Sequence, residues 1–450
     1  GVLFHDRPRI CAGPALSESP MNKNPCLALA ALSAALCCTP AAAQEFDPAK
    51  TLTGDWGGAR TRLVDSGVDL RLSYTGEFAH NNSGGSRDDT YAYADQFFLA
   101  GTFDLDKLWA WHGATFKVEV ANRNGDSLND TAGFPTLLAV QEIHGRGSVT
   151  RLSQFSLTQE LFDDRLSIKL GRLYANGDFF SFSCKFQNLS FCGGLPGYVS
   201  NGWYVDPISQ YGAVVAFKPN DAWRFKVGAY DVNPNNLDRD QGLKLKTDGD
   251  SQGTLLVAEA EYLPTFGDGL QGHYRVGGWR NSANYRNTVT TSGLPSDVSD
   301  DATAVMDSET GYYATAEQVV WRAPGGGTLR LFGNWVQADK DTDRIDQMLQ
   351  LGAWLDAPFA SRPDDRIGFA AGRTRVSERL GDAQRRYNAA LPAGAAAVGV
   401  QEYEYPLELN YQYAITPALS LMPNLQYIRN ANGIKDNNGV VGGLRVSMNF

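Results

Sequence analysis

Beyond residue 45 the chain has no run of the roughly 20 apolar residues that a membrane-crossing helix requires. This excludes a helical membrane protein but not a membrane barrel, whose signal per segment is much weaker. Histidine is also scarce. His80, His112, His144 and His273 are the four beyond residue 43. None stands in a recognisable Ser and His arrangement, and nucleophilic catalysis needs those groups within hydrogen-bond reach, so no enzyme is expected. Of six cysteines, Cys11, Cys26, Cys37 and Cys38 fall in the first 43 residues, leaving Cys184 and Cys192. Two cysteines cannot build a thiolate metal centre without further ligands nearby, and no metal or other cofactor is expected. Basic charge is in deficit. Three of 40 Lys and Arg and two of 50 Asp and Glu lie in those first 43 residues, which leaves 37 basic against 48 acidic. An acidic chain of this kind has no electrostatic case for binding nucleic acid.

The first 43 residues explain some of these absences. From Met21 the sequence runs MNKNPCLALAALSAALCCTPAAAQEF, with Lys23, an apolar stretch from Leu27 to Cys38, and Ala41 to Ala43. Charged, apolar and small residues in that order make a secretory signal peptide over 21–43. Residues 1–20, rich in Pro and Arg, fit none of its regions and read as an upstream segment outside the mature protein. Export places the two remaining cysteines in an oxidising compartment, where Cys184 and Cys192 are expected to form one disulfide across a short loop.

What the chain does have is 47 Gly, 22 Phe, 19 Tyr and 9 Trp. Glycine and aromatics together suit β structure with many turns. In EYEYPLELNYQY, residues 402–413, Tyr403, Tyr405, Leu407, Leu409, Tyr411 and Tyr413 alternate with Glu402, Glu404, Glu408, Asn410 and Gln412. Period two means strand. The pattern recurs in VDLRLSYTGEF from 68, TFKVEV from 115, RLSIKL from 165, WRFKVGA from 223, HYRVG from 273 and LSLMPNLQY from 419. Connections alternate between short turns near 161, 218, 263, 323 and 414 and long polar loops near 80–90, 122–149, 176–207, 233–250, 282–308 and 376–401.

A soluble sandwich shares the alternation but not that loop pattern, which is the layout of an outer-membrane barrel. The expected fold is therefore all-β: a transmembrane antiparallel β-barrel of about sixteen strands with short periplasmic turns and long extracellular loops. It spans 68–450, after a short periplasmic segment at 44–67. A barrel of that size leaves an aqueous channel. Since lipid demands an apolar outer face, the alternating polar residues look into the lumen. They include Arg71, Lys117, Lys169, Arg224, Lys226, Arg275, Arg330 and Arg445, with Glu77 and Glu119 among the acids. This predicts a channel wall rich in Arg and Lys.

Four stretches carry a family resemblance: LTGDWGGARTRLVDSGVDL at 52–70, YADQFFLAGTFDL at 93–105, VANRNGDSL at 120–128 and LELNYQYAITPALSLMPNLQYIRNANG at 407–433. They resemble the OprB family of carbohydrate-selective porins of the Gram-negative outer membrane. The resemblance implies passive diffusion of monosaccharides such as glucose; a general diffusion porin without sugar preference is the alternative. A sugar is neutral, dense in hydroxyls and apolar on its C–H faces, so its passage calls for charged hydrogen-bonding groups and aromatic planes. Carried over by motif, Arg123 in NRNG is the expected basic residue of the constriction and Glu77 its acidic counterpart. Arg71, Lys117, Arg224 and Arg275 are expected to line the path. The loop from Ala175 to Pro207, with Phe179, Phe180, Phe182, Phe186, Trp203 and the cysteine pair, is long enough to fold into the barrel. Phe450, after apolar Leu444, Val446 and Met448, would meet outer-membrane lipid at the boundary. Barrels of this type resemble one another in ending on Phe, which implies contact with the outer-membrane assembly machinery.

Overall fold

The computed structural model describes residues 46–450 except 146, 183, 246–248, 250 and 325. The expected signal peptide and upstream segment lie outside the described residues. Among those described, sixteen strands form one closed antiparallel barrel. In chain order they are β1 Val68–Ser83, β2 Thr90–Asp104, β3 Ala114–Gly125, β4 Val149–Leu161, β5 Leu166–Leu173, β6 Gln210–Asn220, β7 Trp223–Val232 and β8 Gly253–Tyr262. There follow β9 Leu270–Asn281, β10 Glu309–Arg322, β11 Thr328–Gln337, β12 Ile345–Asp356, β13 Arg366–Val376, β14 Tyr403–Thr416, β15 Leu419–Arg429 and β16 Gly439–Asn449. Each strand pairs with the next, and β16 returns to β1 with Glu77 opposite Arg445 and Tyr74 opposite Met448. No described helix is long and apolar enough to cross a membrane.

The alternation works as solvent requires. Leu99, Val227, Val276, Leu351 and Leu409 point outward and are each 50% exposed or more, while Glu77 on the inner face is at 0%. At the turn end the outer face carries rings: Trp223 lies 4.7 Å from Tyr262, which lies 6.3 Å from Tyr274. Amphipathic rings at the rim suit the interface between headgroups and hydrocarbon. Turns at this end are short, such as 162–165, 221–222 and 417–418, whereas the other end carries 126–148, 174–209, 282–308 and 377–402.

The segment before the barrel closes the seam. A short helix, Ala59–Asp65, brings in Arg60, whose guanidinium donates to the carbonyls of Phe450 and Leu70, each at 2.9 Å. Leu52 N–H donates to Asn449 O and Phe450 N–H to Leu72 O, both at 2.8 Å. Arg60 is 3% exposed. A charge buried this deeply costs free energy unless hydrogen-bonded, and here carbonyls of both terminal strands meet it.

Candidate functional site in the barrel lumen

Two long loops fold inward, and together they shape the channel. The first, 174–209, crosses the lumen. On one side Phe179, Phe180, Phe182, Phe186 and Trp203 are buried against Tyr230, Trp279, Tyr313, Phe332 and Trp354 of the wall. On the far side its tip is held by hydrogen bonds. Gln187 and Asn188 N–H donate to Glu408 of β14 at 2.9 and 2.7 Å, and Asn188 Nδ2 donates to Gln426 of β15 at 2.9 Å. A disulfide joins Cys184 and Cys192 within this tip.

The second loop, 126–148, reads as polar in sequence but contains FPTLLAVQEI at 134–143. Leu128, Ala132, Phe134 and Val140 are buried against Ala79, Ile428 and Val441 of the β1, β15 and β16 wall. Leu137 N–H donates to Glu404 of β14 at 2.8 Å, and Leu189 N–H of the first loop donates to Ala139 O at 2.9 Å. The apolar run inside a long loop was the signal that this segment is buried.

Among the described residues, two cavities border these loops, one beside Arg123 of β3 and one against β3, β4 and β5. Arg123 sits near the outer end of β3, two residues before Gly125. There φ is +102° and an added Cβ would lie 2.1 Å from Tyr93 O, so the NRNG motif needs glycine to turn into its loop. Arg123 Nε donates to Gln96 Oε1 at 2.6 Å, and its Nη2 pairs with Asp206 of the crossing loop at 2.9 Å. Burial pushes the Asp206 carboxyl above its ordinary value, and the Arg123 charge opposes that. Arg123, Asp206, Glu142, Asn176, Phe182 and Tyr198 line a cavity of 340 Å³. That volume is within the range of about 300–1,000 Å³ seen for small-molecule sites. The cavity combines charge-assisted donors, carboxylate acceptors and rings.

The model of the carbohydrate-selective porin family OprB matches residues 88–450. This chain belongs to that family. It is 36% identical over 432 residues to Porin B of Pseudomonas aeruginosa, covering 91% of this chain and 93% of that one. It is 32% identical over 419 residues to the putative porin QuiX of Acinetobacter baylyi, covering 89% and 93%. The high-pH structure of OprB from Pseudomonas putida superposes with a TM-score of 0.84 at 37% identity, covering 89% of this chain and 98% of that one. The molecule is thus a sugar-selective porin of the Gram-negative outer membrane, a channel and not an enzyme.

Within this OprB-family barrel the sequence-derived residues are spread more widely than expected. Glu77 is not the partner of Arg123. It lies beneath the 126–148 loop, accepts from Ile143 N–H at 3.3 Å and pairs with Arg445 at 3.6 Å, while Arg123 takes Asp206. The loop covers Glu77 completely, which is why it cannot face the open cavity. Trp203 is 1% exposed, edge-on to Trp279 at 5.6 Å, and so packs the loop instead of offering a face to the channel. Arg71 pairs with Asp69 at 2.7 Å near the turn end of β1, away from the constriction. Arg224 and Arg275 meet Glu261 at 3.4 and 3.6 Å, and Lys226 meets Glu259 and Glu261 at 2.5 and 2.6 Å. Lys117 pairs with Glu119 at 2.5 Å.

Carboxylates thus answer each of these basic residues. Three of the acids, Asp206 with Arg123, Glu142 with Arg445 and Asp178 with Lys169, come from loops that no strand pattern could place. The field along the pore is correspondingly smaller than the Arg and Lys alone would give.

Proposed function

We propose that this channel passes neutral monosaccharides such as glucose by passive diffusion, and that the cavity beside Arg123 holds the sugar briefly on its way through. The observation that carries this is the 340 Å³ space lined by the Arg123–Asp206 pair, Glu142 and Asn176 together with Phe182 and Tyr198. Guanidinium and carboxylate can meet adjacent hydroxyls in opposite senses, and a ring can meet the C–H face. A site that binds weakly lets the substrate leave, which conduction requires. Arg275, Arg224 and Lys117 then serve as paired wall residues along the inner path. On this reading the outer face meets outer-membrane lipid, and Phe450 is offered to the assembly machinery during insertion. The measurement is single-channel current in planar bilayers with a panel of sugars. Glucose should reduce the current in a concentration-dependent way. Equal liposome swelling for sugars and size-matched amino acids would favour a general diffusion pore and overturn the monosaccharide reading.

A further inference from the structure

Below the outer cavity the same loop roofs a smaller one. The turn Ala175–Gly177 divides them: Asn176 lines the outer cavity, whereas Tyr174 and Asp178 line an inner niche of 150 Å³. Its other walls include Lys117 from β3, Gln154 and Thr158 from β4 and Lys169 from β5. The niche is electrically balanced. Lys117 Nζ pairs with Glu119 Oε1 at 2.5 Å, and Lys169 Nζ with Asp178 Oδ1 at 2.5 Å. Tyr174 OH donates to the second oxygen of Glu119 at 3.0 Å, which fixes the ring beside the pair. Two ammonium groups against two carboxylates give an ion no advantage here. Each ammonium has three donors and commits one to its carboxylate, and the amide of Gln154 and hydroxyl of Thr158 can both donate and accept.

Balanced charge, surplus donors and a tyrosine ring are what a neutral polyhydroxylated ring needs. At 150 Å³ against 340 Å³ the niche is less than half the size of the outer cavity, so it has room for one ring at most and not a disaccharide. Position supplies the rest. Arg123, Ala121, Glu119 and Lys117 occupy alternate positions on one face of β3, so Lys117 and the niche lie towards the periplasm from Arg123.

We propose that the niche of Lys117, Lys169, Gln154, Thr158 and Tyr174 is a second binding station for the same neutral monosaccharide, on the periplasmic side of the constriction. This rests on the outer cavity being the first station. Two weak sites in series divide one long exit into two short steps, as multi-site conduction favours.

The test is the current through the folded channel in planar bilayers, titrated with glucose from the periplasmic side. Current should fall in two steps. Arg123→Ala should remove one of them, and Lys169→Met should shift the half-block concentration of the other by about fivefold, the scale of one lost hydrogen bond. Thr158→Val touches none of the ion pairs and serves in the same way if the lysine variant does not fold, which heat-modifiable mobility on gels reports. A one-step titration of the wild type, or two steps that ignore the Lys169 and Thr158 variants in folded channels, overturns the second station and leaves the sugar channel standing. No response to glucose at all overturns both.

Discussion

The two sides of the lumen are built on opposite principles. Along β7 to β13 the crossing loop is glued to the wall by rings: Phe180 to Tyr313 at 5.2 Å, Phe182 to Phe332 at 5.0 Å and Phe186 to Phe332 at 5.9 Å between centroids. Along β3 to β5 the wall is polar: Arg123 borders the outer cavity, and Lys117, Gln154, Thr158 and Lys169 line the inner one. A water-filled barrel offers no apolar core by itself, so the loop brings its own against this wall of rings. The loop tip meets β14 and β15 through the hydrogen bonds of Gln187 and Asn188, and such bonds exchange with water at a modest net gain.

Removing a ring from the filled side should have the largest effect. Phe186 is fully buried between Phe191 and Phe332. Phe186→Ala should weaken loop docking by about 3–5 kcal/mol, the usual cost of deleting a buried phenylalanine. Single-channel conductance should rise and glucose block should weaken; unchanged conductance in a folded barrel would mean that the rings do not set the bore. A smaller effect is expected at the hydrogen-bonded end. Glu408→Gln leaves one acceptor oxygen where Gln187 and Asn188 N–H now find two, a loss of about 1–3 kcal/mol. Open-channel noise should increase with mean conductance nearly preserved, and a quiet trace would show that the tip is held by other contacts.

The smallest effect concerns pH. Lys185 is in the crossing loop, and burial, reinforced by Arg366 and Arg330 and opposed by Asp356 and Glu317, lowers its pKa to about 8. The folded value lies below that of an unfolded lysine, about 10.4, so loop docking strengthens as pH rises between the two. Around pH 8 the docked Lys185 gives up its proton and the lumen loses one positive charge. The reversal potential in a salt gradient should therefore move towards cation preference between pH 7 and pH 9, and Lys185→Met should abolish the shift. A shift of equal size in that variant would assign the titration to another group.

How much of this could be read in the sequence depends on what the residues had to satisfy. Strand faces are dictated by lipid on one side and water on the other, and so Leu409 and Glu408 could be assigned to opposite faces from their order alone. Arg123 could be found because its strand ends in a motif with an obligatory glycine. Asp206 could not. It reaches Arg123 only because the crossing loop folds back, and it is 83 residues away along the chain. Glu77 was misplaced for the same reason, since its burial is caused by a loop whose inward turn was masked by an average of polar residues. The apolar cluster from Phe134 to Ile143 held that information. Averaging over a whole loop discards it.

The seam at β1 and β16 sets the order in which this molecule can be made. Ser73 must find Asn449, so the pairing that completes the barrel closes a loop containing nearly every other strand. Contacts of such long reach are slow to form, and until this one forms both edges carry unpaired backbone groups that hydrocarbon will not tolerate. Arg60 bonds the two edges only once they are together. Its grip therefore acts on the rate at which the finished barrel reopens far more than on the rate at which it first closes.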